Sequence, residues 1–396
     1  MPRKTGRQLF AAPGPTNIPD SVLRAMDRST IDFNDAEFLE VYDRGIAGLK
    51  RLLGTKGHVF FYTASGHGAW EATLVNLLSP GDHVLVLESG IFSVWWAEMA
   101  TRLGLHTKHV WAERSVGVDP ADVTAALRED GAHAIKAVLA VHNETSTGMA
   151  LPMAEIRAAI DAADHPALLL ADTISSLGSL EYKMDAWGID GTVGGSQKGL
   201  MLPTGLSFTA VSDKAMLAHE SARMQRSYLD WGQMKPRRHG SFVGTVPTQP
   251  FYGLDESLRL IELEGVDRLV ARHHRLAEAT RCAVRAWSAN DGPRLFCQNP
   301  ARVSDSVTAI RMPEGHDANE LRKVALDRFN VALGGGLGDL NGQVFRIGHM
   351  GDLNEPMMLG ALATVEMCLG ICGVPHGKGG VQAAMAFLAE GTASPS

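Results

Sequence analysis

The chain has 396 residues, 45% hydrophobic and 20% charged, which is enough for a large core in about two domains. With a net charge of −7 and no lysine- or arginine-rich tract, it lacks the electrostatic footprint of a nucleic-acid or anionic-membrane binder, so a small-molecule substrate is expected. No apolar run approaches the roughly 18 residues of a membrane span, and the basic start, Met1 to Gln8, is not followed by the apolar stretch of a signal peptide; the expected compartment is the cytoplasm.

In chain order, residues 59–62, 83–87, 135–141, 167–171 and 206–211 are short β-branched or apolar runs that predict strands. Between them, 68–78, 92–103 and 120–128 have helical patterns. This alternation predicts an α/β fold with βαβ crossovers and a mostly parallel, doubly wound sheet, whose ligands bind beyond the carboxyl ends of the strands. Ser65 to Gly68 follow the first run, His142 to Gly148 the third, and Asp172 ends the fourth. From Leu254 the pattern changes to one long helix carrying Leu254, Leu258, Ile261, Leu269 and Leu276, which is expected to lead into a smaller domain. The expected division is an N-terminal arm over 1–22, a large domain over 23–264 and a small α+β domain over 265–396, with the tail 391–396 frayed. Gly334-Gly335-Gly336-Leu337-Gly338 matches no dinucleotide motif and is expected to be a flexible loop near the substrate. Cys282, Cys297, Cys368 and Cys372 are too few for a disulfide framework, and with no histidine cluster beside them they are expected to be core thiols and no metal site.

Two stretches carry chemistry. Ser65-Gly66-His67-Gly68 stands between a strand and a helix, where glycines let the backbone approach an anion and the helix N-terminus favours a phosphate. Gly195-Ser196-Gln197-Lys198-Gly199 sets one lysine among small residues, 26 positions after Asp172. That pairing points to pyridoxal phosphate. An enzyme using this cofactor needs a lysine that can leave solvent, form a Schiff base and carry a proton, and a carboxylate that keeps the pyridine nitrogen protonated.

With the phosphate turn, Asp172-Thr173-Ile174-Ser175-Ser176-Leu177-Gly178 and Ser196-Gln197-Lys198 in this order, the chain resembles the class V aminotransferases among the fold type I pyridoxal phosphate enzymes. Ala12-Pro13-Gly14-Pro15-Thr16-Asn17-Ile18-Pro19, His142-Asn143-Glu144-Thr145-Ser146-Thr147-Gly148 and Phe345-Arg346-Ile347-Gly348-His349 are similar to the branch that includes the serine-, alanine- and aspartate-glyoxylate aminotransferases. The resemblance implies that Ser65, Gly66, His67 and Gln197 hold the phosphate, Phe92 and Ile174 face the two sides of the ring, and Thr145 contacts the ring hydroxyl or the substrate. It implies Lys198 and Asp172 as the catalytic pair, Arg346 as the grip on the substrate carboxylate, and Gly14 as part of an arm closing over it. The implied reaction is ping-pong, from a small amino acid to a 2-oxo acid, with serine and glyoxylate as first choices and aspartate, alanine or pyruvate open.

The resemblance further implies a homodimer with two shared sites, in which Thr245 of one subunit serves the neighbour's cofactor. Relatives of this branch commonly place a Tyr three residues before that Thr; here the position holds Phe242. A side-chain carboxylate on the donor would need a second cation, for which Arg223, Arg226 and Arg237 are candidates. Trp95 and Trp96 are expected in the core, at a dimer interface or at the substrate entrance. A cysteine desulfurase would need a cysteine shortly before the substrate arginine, and the 48 residues from Gln298 to Phe345 contain none. A lyase or decarboxylase, and a non-catalytic cofactor-binding protein, remain as other readings.

Overall fold

In the computed structural model, which describes residues 6–234 and 242–390, seven strands form one sheet in the order His58–Tyr62, Ser207–Val211, Gly191–Gly195, Leu168–Asp172, Ile135–Val141, His83–Leu87, His106–Val110. Ser207–Val211 runs antiparallel to both of its neighbours, and the remaining pairs are parallel. Successive side chains leave a strand on opposite faces. Leu85 and Leu87 therefore enter one core with Val138, Leu169 and Phe208, while Val84 and Val86 enter a second with Leu139, Leu170 and Val211. Each such side chain contributes roughly 1.5–3 kcal/mol when fully buried, and helices cover both faces, so these strands read as continuous apolar runs.

Two strands of this sheet lie outside the sequence expectation. His106–Val110 is an edge strand whose His, Thr and Lys side chains face partly outward. Gly191–Gly195 is central and buried, yet carries three glycines. A Cβ on Gly191 would stand 2.7 Å from Leu170 Cδ2, and one on Gly194 would run into the Phe208 ring, so the neighbouring side chains fill the space a normal strand residue would take.

A second sheet has the order Leu9–Ala11, Val331–Gly335, Val344–Gly348, Val307–Arg311, Arg294–Leu295, antiparallel except for its first pair. It packs on a third core with the helices Val266–Trp287, Glu355–Ile371 and Gly380–Glu390. The long helix expected from residue 254 is two helices, Thr248–Glu264 and Val266–Trp287. Gly265 between them has φ +83, a left-handed conformation that glycine adopts at low cost and that breaks the helical run. Leu269 still packs in the first core, whereas Leu276 packs in the third, so the second helix crosses from one to the other.

The Gly-rich stretch is also corrected. Gly334 and Gly335 are strand residues paired with Arg346 and Phe345, and only from Gly336 does the chain turn away. A Cβ on Gly334 would lie 2.6 Å from Pro13 Cδ and 3.1 Å from Arg346 Cβ, so these glycines admit the N-terminal segment and the arginine beside it. Cys368 is buried and Cys372 half-buried at the end of Glu355–Ile371. Among the described residues no helix is long and apolar enough to cross a membrane, and no group of three or more His, Cys, Asp or Glu side chains converges as a metal site would require.

Candidate active site

A cavity of about 220 Å³ opens at the carboxyl ends of the central strands, lined among others by Gly14, Ser65, Gly66, His67, Phe92, Thr145, Asp172, Ile174, Gln197 and Lys198. Larger surface clefts exist elsewhere, but none of them is lined by a lysine facing a buried carboxylate. The strand Leu168–Asp172 ends here because Asp172 turns its carboxyl back on its own chain: Oδ1 accepts from Ile174 N at 2.7 Å. Its Oδ2 accepts from Trp70 Nε1 at 2.9 Å. Burial raises the Asp172 carboxyl to about 7, with the Ile174 and Trp70 bonds pulling the other way.

Lys198 stands in the turn after Gly191–Gly195. Burial lowers its amine to about 8, and the nearby Arg346 guanidinium lowers it further while Asp172 opposes. Lys198 Nζ donates to the Pro13 carbonyl. The N-terminal segment is tied to the same turn, since Thr16 N donates to Gln197 O at 3.0 Å and Thr16 Oγ1 to Lys198 O at 2.9 Å. Gly14, with φ +122, passes so close to Lys198 that a Cβ there would meet Nζ.

Arg346 comes from the small sheet and is 7% exposed. Its Nε donates to Gly335 O at 2.7 Å and its Nη1 to Thr145 O at 3.0 Å, which fixes the plane of the guanidinium just beyond the cavity wall. Burial lowers it to about 10, with Glu144 opposing the shift. Thr145 Oγ1 donates to Ser175 Oγ at 2.8 Å, and Asn143 Nδ2 donates to the same oxygen and to Ser306 Oγ, both at 2.8 Å.

These residues fit a flat, phosphorylated pyridine. At one end, Ser65 precedes the helix Gly66–Leu77 with its hydroxyl free of any cap bond; Gly68 N donates to Ser65 O at 3.0 Å, and the Gly66 and His67 amides are left for an anion. Gly66 has no room for a side chain because Ile174 Cδ1 occupies that space. At the other end, Asp172 is a buried carboxyl without a cation bonded to it, as a protonated ring nitrogen would require. Gln197 Oε1 and Asn143 Oδ1 are buried with no hydrogen-bond partner among the described residues, which leaves both for a ligand. Phe92 and Ile174 supply apolar walls.

The sequence reading missed Trp70, Asn143 and Ser175 as members of this site. Trp70 was legible in part: it lies one helical turn after Gly66, and a buried indole N–H needs an acceptor. Thr245 and Phe242 belong to the segment that the resemblance assigns to a neighbouring subunit's site. Thr245 is exposed and does not line the cavity of its own chain. Phe242 is buried against Phe251 at 5.8 Å between ring centroids, so its ring belongs to the core of its own chain. Trp96 is likewise in the core, stacked on Trp70 at 5.6 Å, while Trp95 is half-buried beside Phe92 and His67. Arg223 and Arg226 are held by carbonyls and, for Arg226, by Asp230, and neither lines the cavity; Arg237 lies outside the described residues, as does the tail 391–396.

Comparison with known proteins agrees with this geometry. A family model described as Aminotransferase class-V matches residues 9–338. The serine–glyoxylate aminotransferase of Methylorubrum extorquens is 46% identical over 98% of each chain. The L-aspartate–glyoxylate aminotransferase of Paracoccus denitrificans is 43% identical over 98% of each. Among solved structures, pyridoxamine–pyruvate aminotransferase from Mesorhizobium loti superposes with a TM-score of 0.91 at 27% identity, over 98% of this chain and 99% of that one.

Proposed function

The chain belongs to the class-V aminotransferases, which use pyridoxal phosphate, and from that membership we propose that it moves the amino group of L-serine to glyoxylate, giving glycine and the 2-oxo acid of the donor. The observation that carries the reading is the convergence of Lys198 and Asp172 on one cavity, with a helix N-terminus at its far end and Arg346 bonded to Thr145 of its lining. When bound, pyridoxal phosphate supplies an aldehyde carbon that captures the donor nitrogen and a ring that takes up the electron pair of the Cα–H bond.

The chain's own residues do the rest. Asp172, oriented by Trp70 and the Ile174 amide, holds the proton on the ring nitrogen. Arg346 grips the α-carboxylate; with Nε and Nη1 already anchored on carbonyls, its remaining terminal nitrogen is presented to the substrate without loss of side-chain freedom at that moment. Lys198 Nζ, whose lowered pKa leaves a usable neutral fraction near pH 7, takes the Cα proton and returns one on the far side of the transferred nitrogen. Glyoxylate then reverses these proton movements. The Pro13-Gly14-Pro15 segment covers this face and limits the size of the donor.

Serine is preferred over aspartate because a second carboxylate would need a second cation, and of the three candidates the two among the described residues, Arg223 and Arg226, are engaged elsewhere. The Paracoccus denitrificans relative supports aspartate as the second reading. We also infer a homodimer, since an exposed Thr245 outside its own cavity is where the resemblance needs it for service in a neighbour's site.

The test is to add single amino acids to the purified holoenzyme, follow the visible absorption of the bound cofactor, and then add glyoxylate and quantify glycine. Conversion by serine and stoichiometric glycine are expected. Conversion by aspartate alone would move the donor assignment, and release of carbon dioxide or ammonia with no glycine would replace the aminotransferase reading by a decarboxylase or lyase.

A further inference from the structure

Glu144 lies in the stretch that supplies Asn143 and Thr145 to the site, yet none of the steps above uses it. It is fully buried, and no lysine or arginine among the described residues is bonded to it. Its partners are the start of another element. Oε2 accepts from Phe92 N at 3.2 Å and Ser93 N at 3.3 Å. Oε1 accepts from Ser146 N at 3.1 Å and Ser146 Oγ at 2.6 Å, and Ser146 Oγ itself accepts from Ile91 N at 3.1 Å. Three consecutive amides of the helix Ile91–Arg102 therefore end on Glu144 or on the hydroxyl that Glu144 holds. That helix has Gly90 at its N-cap and no acidic residue in its own first turn. A Cβ on Gly90 would lie 2.5 Å from both Glu144 Cγ and Ser146 Oγ, so the glycine is what admits the carboxylate.

We propose that Glu144 is a positioning residue for the cofactor ring: its carboxylate fastens the first turn of Ile91–Arg102 from a distant loop and thereby sets where Phe92 stands against the ring. A negative charge at a helix N-terminus meets both the free amides and the positive end of the helix dipole, and charge-assisted bonds of this kind are the stronger class. A capping role alone could be served by a serine or aspartate at position 90. Supplying it from the Asn143–Glu144 strand instead ties the Phe92 helix to the loop whose next carbonyl, that of Thr145, anchors Arg346. The wall behind the ring and the grip on the substrate are in this way referred to one short segment. This inference rests on the cavity holding pyridoxal phosphate and is independent of which amino acid is the donor.

The experiment compares wild type, Glu144→Ala, Glu144→Gln, Phe92→Leu and the Glu144→Ala/Phe92→Leu pair. Each is stripped of cofactor, checked for a cooperative melt, and titrated with pyridoxal phosphate to obtain Kd and the visible-region circular dichroism of the bound ring. Glu144→Ala is expected to weaken binding tenfold or more and to reduce the visible dichroism. Glu144→Gln, which keeps one acceptor for the Phe92 and Ser93 amides, should lose less. If Glu144 acts through Phe92, the double variant binds no more than about twofold more weakly than the worse single one. Losses that multiply in the double variant, or a Glu144→Ala protein with wild-type Kd and dichroism, would overturn the proposal. Should Glu144→Ala not fold, Glu144→Gln alone and paired with Phe92→Leu is read in the same terms. A wild-type chain that took up no pyridoxal phosphate would remove the cofactor reading itself, whereas a chain that bound it and transaminated no donor would leave the Glu144 inference standing.

Discussion

Trp70 Nε1 donates to Asp172 Oδ2 at 2.9 Å across 102 positions of sequence, and the acceptor is the carboxyl proposed above to hold the proton on the cofactor's ring nitrogen. The indole thus holds one oxygen of Asp172 while the Ile174 amide holds the other. Trp70→Phe keeps an aromatic ring against Trp96 and removes the N–H together with the rest of the second ring. A hydrogen bond to a charged group contributes about 1.5–3 kcal/mol, so kcat is expected to fall roughly ten- to hundredfold with little change in the donor's KM. Steady-state kinetics at confirmed full cofactor occupancy would check this, and an unchanged kcat would show that the bond does not support Asp172.

Asp172 also predicts a pH dependence. In the cofactor-free protein its carboxyl is raised from 3.8 to about 7, so the folded state keeps a proton that the unfolded state has already lost. The folded state binds more protons in that window, and stability falls as pH rises from about 4 to about 7. Asp172→Asn removes this contribution. The difference in unfolding free energy between the variant and wild type, both without cofactor, should widen between pH 4 and pH 7 by at most about 4 kcal/mol and stay constant above. Denaturant titrations across that range would measure it; a constant difference at every pH would show that Asp172 ionises normally.

Lys198 has the opposite displacement, from 10.5 to about 8. Only the neutral amine captures an aldehyde, so uptake of pyridoxal phosphate by the cofactor-free protein should speed up with pH and level off above a midpoint near 8. Relative to an ordinary lysine, the neutral fraction at pH 7 is about 300-fold larger. Stopped-flow absorbance at a series of pH values gives the midpoint directly. A midpoint near 10 would mean that burial does not act on this amine as described, and Lys198→Ala should show no capture at any pH.

Arg346→Lys tests the grip on the α-carboxylate. A lysine cannot reproduce the two anchors to Gly335 and Thr145 together with a bond to substrate, because it presents a single ammonium on a flexible stem. Its expected signature is a donor KM raised about ten- to hundredfold, roughly 1.4–2.8 kcal/mol, with kcat changed less than tenfold and cofactor affinity unchanged. A KM within twofold of wild type would place the carboxylate elsewhere.

What could be read in the sequence followed from how local the determining contacts are. The five strands anticipated there are those whose own side chains fill the two cores, as Val84 to Leu87 do on alternate faces. Gly191–Gly195 was hidden because its space is filled by Leu170 and Phe208, and His106–Val110 because an edge strand need not be apolar. In the site, Lys198 and Asp172 announce themselves through short motifs. Trp70 and Asn143 do not, since their partners, Asp172 and Ser306, are brought to them only by the fold. Phe242 is a different case: the resemblance marks the position, but its burial against Phe251 becomes visible only once the helix Thr248–Glu264 is packed in the core.

Gly14 separates steric demand at the site from backbone demand in general. It has φ +122, and a Cβ there would meet Lys198 Nζ and lie 2.7 Å from Cδ. Gly81 also has positive φ, +85, but no atom lies within 4 Å of a Cβ built on it. An alanine at either position carries a positive-φ backbone penalty, on the order of 1–3 kcal/mol. Only at Gly14 must the new methyl displace the lysine, or else pull the arm away from it against the Thr16 bonds to Gln197 and Lys198. Gly81→Ala is therefore expected to lower the melting temperature by about 1–3 degrees and leave kcat/KM of the holoenzyme unchanged. Gly14→Ala is expected to reduce kcat/KM at least about hundredfold, near 2.7 kcal/mol of transition-state stabilisation, with a fall in melting temperature at least as large as that of Gly81→Ala. Parallel melting curves and kinetics on the two variants decide it: if both lose stability and neither loses activity, the arm does not stand over Lys198 when the enzyme works.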